Sequence, residues 1–119
     1  MDVRLKRSYE PAAAADGYRV LIDRIWPRGV TRAKAQLDEW ARELAPSTEL
    51  RRWFGHDPAR FEEFQRRYTE ELASQKGELR ELRRRAREGT LTLVYAARDT
   101  EHNGAVVLAE ILRRGRRSL

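Results

Sequence analysis

Cysteine is absent from this sequence of 119 residues. That excludes a disulfide framework, a thiolate nucleophile and any thiolate-based zinc site. Histidine is almost as scarce: two residues cannot build a His-rich metal site, and no metal is expected. There is no run of about 18 apolar residues, so no segment is expected to span a membrane. Met1-Asp2-Val3-Arg4 lacks the apolar stretch of a secretory signal, which makes the cytoplasm the expected location. Also missing are a P-loop, a Gly-x-Gly-x-x-Gly turn, a His-Glu-x-x-His helix and a Gly-x-Ser-x-Gly elbow. No sequence feature names a cofactor.

What the chain does have is charge. Charged residues make up 37% and hydrophobic residues 40%, with a mean hydropathy of -0.81. That balance suits one core under a charged skin rather than a disordered chain. The length fits one domain, expected over residues 1–112, with a basic tail at 113–119. The formal charge is +6 and the pI about 10.3, which raises nucleic acid as a partner. The charge is unevenly spread. Residues 1–74 carry 14 basic and 13 acidic groups, whereas residues 75–119 carry 11 and 6. Of the 25 basic residues 22 are Arg, a bias that GC-rich codon usage explains as well as a selected basic surface does.

Periodicity supplies the elements. Val3 to Tyr9 alternates as a short strand, and Asp16-Gly17 marks a turn before a second strand over residues 18–23. A helical turn is expected at 31–36. Leu37 to Leu44 fits either a helix or a short extended piece, and the extended reading is preferred for its brevity. Ser47 or Thr48 caps a helix that Gly55 ends. Asp57-Pro58 opens the next, whose apolar stripe is Phe61, Phe64, Tyr68 and Leu72. Gly77 is expected to break the run before a helix presenting Leu79, Leu82 and Ala86. Thr90 to Ala97 is apolar on both faces, as in a covered central strand. A last helix follows from about Asn103 to Arg114. The expected architecture is α/β: a small, mostly parallel sheet covered by helices in a single layered domain.

Open α/β sheets bind ligands beyond the carboxyl ends of their strands, and three segments put chemistry there. Asp23-Arg24-Ile25-Trp26-Pro27-Arg28-Gly29 follows the second strand. Its guanidinium groups can clamp an anion bidentately, with Trp26 stacking on a ring, or else Trp26 is a core anchor. The second segment leads from Ala45-Pro46-Ser47 to Arg51, Trp53, His56 and Asp57. His56 is a candidate acid or base, while Asp57 and Ser47 serve as caps. The third, Ala96 to Asn103, offers Asp99 as a base, metal ligand or ribose hydroxyl acceptor, and Asn103 near a helix start that favours an anion. Either of the two can instead simply cap the last helix.

Taken together, the stretches Asp23 to Gly29, Ala45-Pro46-Ser47 with Leu50 to Pro58, and Tyr95 to Asn103 resemble the YeaO-like branch of domain of unknown function 488. The likeness runs from Arg4 to about Leu112 in order and spacing. It implies a compact bacterial α/β domain and no particular reaction. The residues matching that pattern include Arg7, Asp23, Arg24, Trp26, Arg28, Arg51, His56, Asp99 and Asn103.

The functional expectation is therefore a pocket for a small anionic ligand, phosphorylated or nucleotide-like. Arg24, Arg28, Arg51 and Asn103 would hold the ligand and Trp26 would stack on it. Asp23, His56 or Asp99 would transfer protons if chemistry occurs. The rival expectation is a nucleic-acid-binding or regulatory module using the basic residues of 80–87 and 113–117. Neither reading fixes an oligomeric state.

Overall fold

The computed structural model describes residues 1–115. They run through β1 (Asp2–Arg7), β2 (Tyr18–Leu21), α1 (Arg32–Ala35), β3 (Glu39–Trp40), α2 (Thr48–Phe54), α3 (Phe61–Leu72), α4 (Lys76–Glu88), β4 (Thr90–Tyr95) and α5 (Gly104–Arg114). The strands form one sheet in the order β1-β4-β2-β3. Every neighbouring pair is parallel, so the sheet is wholly rather than mostly so. β4 lies inside the sheet, with Leu93 opposite both Leu5 and Val20. Its residues from Leu91 to Tyr95 are all buried, which is why its sequence shows no polar face.

The helices cover the sheet with the stripes their periodicity calls for. α3 buries Phe64, Tyr68 and Leu72. α4 buries Leu79, Leu82 and Ala86, and α5 buries Val107, Leu108 and Leu112 among others. The starts of α2 and α5 are chemically marked. The Ser47 hydroxyl accepts from the Leu50 amide at 3.1 Å, and the Asn103 carbonyl oxygen accepts from the Val106 amide at 2.9 Å. Gly55, in the left-handed region at φ 54°, closes α2.

The structure corrects some expected boundaries. β1 stops at Arg7, because the chain turns at Ser8-Tyr9. Residues 58–60 form a tight 3-10 turn held by the Asp57 carboxylate, and the α-helix begins only at Phe61. Gly77 lies inside α4 and breaks nothing. One Gly costs a helix about 1 kcal/mol, which burial of Leu79 and Leu82 outweighs. The ambiguous 37–44 stretch resolves into two strand residues and a 3-10 turn at Arg42–Leu44. Arg113 and Arg114, where the expected last helix and the expected tail overlap, belong to α5, and the Arg113 guanidinium donates to the Val3 carbonyl at 2.7 Å. The rest of that tail, 116–119, lies outside the described residues.

Candidate functional site

Strand order creates the site. After β2 the chain crosses to β3 on one side, and after β4 it enters α5, which packs on β1 on the other side. The carboxyl ends of β2 and β4 therefore send their chains apart and leave a crevice between them, the place where open parallel sheets take ligands. A cleft of about 730 Å³ occupies it. All eight residues singled out from sequence, Asp23, Arg24, Trp26, Arg28, Arg51, His56, Asp99 and Asn103, lie on its wall. Its floor is apolar: Ile22, Phe54, Phe64 and Tyr95 are all nearly inaccessible.

Asp23 stands where β2 and β4 separate. Its Oδ2 accepts from the Ala96 amide at 2.9 Å, tying the two strand ends together. Burial pushes its carboxyl up from 3.8 to about 6, against the opposing pull of the Ala96 amide and the charges of His56 and Arg51. Arg24 is occupied within the chain. Its Nε donates to Pro46 O and its Nη2 to Ala45 O, both at 3.2 Å, so much of its fork is spent on holding the 45–46 segment. Trp26 is likewise anchored. Its Nε1 donates to Val30 O at 2.7 Å, its ring meets Trp40 edge-on at 5.3 Å, and Arg32 sits 5.0 Å from its centroid.

Asp99 organises the approach to α5. Oδ1 accepts from the amides of Glu101 and His102, and Oδ2 pairs with His102 Nδ1 at 2.9 Å. The Glu101 amide leads the interactions that hold its carboxyl below the usual carboxylate range. Asn103 bridges this turn to the helix: Nδ2 donates to Asp99 O at 2.8 Å while Oδ1 caps α5. Gly104 follows with no side chain, and a Cβ there would meet Pro46 at 3.4 Å. His56 is exposed and follows Gly55 in the left-handed region, at φ 59°, which few non-glycine residues adopt.

Three cations on the wall differ from Arg24. Arg28, Arg51 and Arg98 are exposed. None of their side chains has a hydrogen bond or ion pair with the described residues. Sequence reasoning gave no role to Arg98 or to Tyr9, which also lines the cleft. Arg98 could have been found from its place three residues past β4. Tyr9 comes close only through the pairing of β1 with β4, which the sequence does not reveal.

The basic helix offers less. Arg83 is buried and donates to the Leu112 and Ile111 carbonyls, and Arg84 is paired with Glu81 and Glu88. Arg85 lies 4.1 Å from the Tyr18 ring centroid and within 3.6 Å of Glu81. Among the described residues no group of three or more His, Asp or Glu is arranged to hold a metal ion. No helix there is long and apolar enough to cross a membrane.

Comparison with known proteins adds family and no activity. The model of the inactive DUF488-N3 subclade matches residues 2–117. The chain is 44% identical to the uncharacterized protein YeaO of Escherichia coli (strain K12) over 113 residues, 95% of this chain and 98% of that one. It is also 44% identical to the uncharacterized proteins Rv3073c of Mycobacterium tuberculosis (strain H37Rv) and Mb3100c of Mycobacterium bovis, over 92% of each chain. No solved structure matches it.

Proposed function

The chain belongs to the inactive DUF488-N3 subclade, among YeaO-like proteins, and on that premise we propose that its cleft binds a small anionic ligand, phosphorylated or nucleotide-like. The observation that carries this reading is a trio of guanidiniums, Arg28, Arg51 and Arg98, around an apolar floor, with no hydrogen bond or ion pair among the described residues. Guanidinium forks match the oxygens of phosphate and carboxylate, and a largely water-excluded floor strengthens the attraction. α5 begins on the same wall at Asn103 and Gly104, and the positive end of its dipole favours an anion there.

Binding is placed ahead of catalysis, in keeping with the word inactive in the family's description. Of the two carboxylate candidates, Asp23 is raised by burial to about 6, while hydrogen bonds from its own turn hold Asp99 below the usual carboxylate range. The nucleic-acid reading is less supported, since Arg83, Arg84 and Arg85 are engaged within the chain.

The test is thermal denaturation across a panel of phosphorylated metabolites and carboxylates. A bound ligand raises apparent stability by mass action. Some member of the panel is expected to raise the melting temperature of the parent and to leave Arg28→Ala unshifted. Equal shifts in both proteins for every hit would reject the assignment.

A further inference from the structure

Three large hydrophobic side chains are exposed among the described residues: Met1, at 56%, Tyr9, at 50%, and Ile25, at 59%. Met1 is terminal, and the other two line the cleft. Their positions follow from the sheet. Tyr9 lies just past β1 and Ile25 just past β2, and these strands flank β4 on either side. Tyr9 and Ile25 therefore stand on opposite sides of the β4 end, from which Arg98 projects into the same cleft.

Tyr9 is also held in place. Arg7 donates from Nε to Ala97 O at 2.9 Å and from Nη2 to Ala96 O at 3.0 Å, which fixes its guanidinium against the β4 end. That guanidinium sits 5.1 Å from the Tyr9 ring centroid. A fixed cation on one side of a half-exposed ring orients the ring for a planar partner on the other.

The size of the cleft bears on what fits. About 730 Å³ lies within the range for drug-sized ligands, and an inorganic anion would leave most of it empty. Cations on the wall, an apolar floor and two exposed apolar groups that line the cleft past the strands flanking β4 ask for a ligand with a charged end and a flat apolar body. We infer that the cleft takes a nucleoside monophosphate, its base between Tyr9 and Ile25 and its phosphate on Arg28, Arg51 and Arg98. This rests on the anion-binding reading and narrows it.

The experiment is isothermal titration of the full chain with inorganic phosphate, ribose 5-phosphate, the four ribonucleoside monophosphates and the four nucleosides. At least one monophosphate is expected to bind ten times or more tighter than ribose 5-phosphate. Tyr9→Ala and Ile25→Ser are exposed changes that leave the core intact. Each is expected to shrink that ratio several-fold while ribose 5-phosphate binding stays as it was. Arg98→Ala is expected to weaken both ligands alike. Equal affinity for ribose 5-phosphate and every monophosphate, or a ratio unmoved by Tyr9→Ala, would overturn the base site and leave the anion site standing. No binding by any phosphorylated probe would overturn both.

Discussion

At Gly17 the backbone takes φ 63° and ψ -130°, a combination open in practice only to glycine. A Cβ there would lie 2.3 Å from the Thr90 carbonyl oxygen, well inside contact distance with backbone that cannot move away. Gly17→Ala is expected to cost about 3 kcal/mol, from backbone strain and overpacking together. Urea denaturation of parent and variant measures it. Asp23 makes the opposite kind of statement. Its carboxyl is raised from 3.8 to about 6, so between those values the folded chain holds a proton that the unfolded chain has released. Stability is then greatest below about pH 4 for this group and falls as pH rises through 6. Asp23→Asn keeps an oxygen for the Ala96 amide and removes the half-buried charge. It is expected to stabilise the protein at pH 7.5 by on the order of 2 kcal/mol and to flatten the fall between pH 4 and 6. Melting curves across that range check it, and a fall of unchanged size in the variant would assign it to other groups. At this scale the sequence was informative about residue type and not about employment. Asp23, Arg24 and Arg28 are equally conspicuous in one heptapeptide. Only folding reveals that Arg24 spends its donors on Ala45 and Pro46 while Arg28 keeps its own.

Elements announced themselves where local chemistry and core packing agree. α5 is the clearest case, since Asn103 caps it and Val107, Leu108 and Leu112 fall on one buried face. Asn103→Ala removes the cap and frees Asp99 O, and is expected to cost about 1 to 2 kcal/mol. Hydrogen exchange should show the loss concentrated in the first turn of α5, faster at Val106 than at Leu112. Uniform acceleration along the helix would place the role of Asn103 elsewhere. Signals were weaker where a long-range partner decides the outcome. Gly77 reads as a break, yet contacts made by Leu79 and Leu82 with distant residues carry the helix through it. β3 has only two residues, and it is a strand because Val20 and Leu21 lie opposite them, a fact outside any local window.

For the molecule as a whole, the parallel α/β layering was legible from the alternation of strands with helices and from the doubly apolar β4. The order β1-β4-β2-β3 was not. Nothing local says that the first strand and the last are neighbours, and that adjacency brings Tyr9 to the β4 end. The same order splits the chain paths after β2 and β4 and opens the crevice whose wall carries Arg28, Arg51 and Arg98 together with the half-buried Asp23. The central claim is that anions bind in this crevice and not on the basic face of α4. Titrating ¹⁵N-labelled protein with a nucleoside monophosphate, and following the backbone amide resonances, tests it most directly. The predicted result is a saturable set of shifts confined to Tyr9, Asp23–Arg28, Arg51, Ala96–Arg98 and the Gly104 turn, and lost in Arg28→Ala. Shifts centred on Arg80 and Arg87 of α4, or none at millimolar ligand, would contradict it.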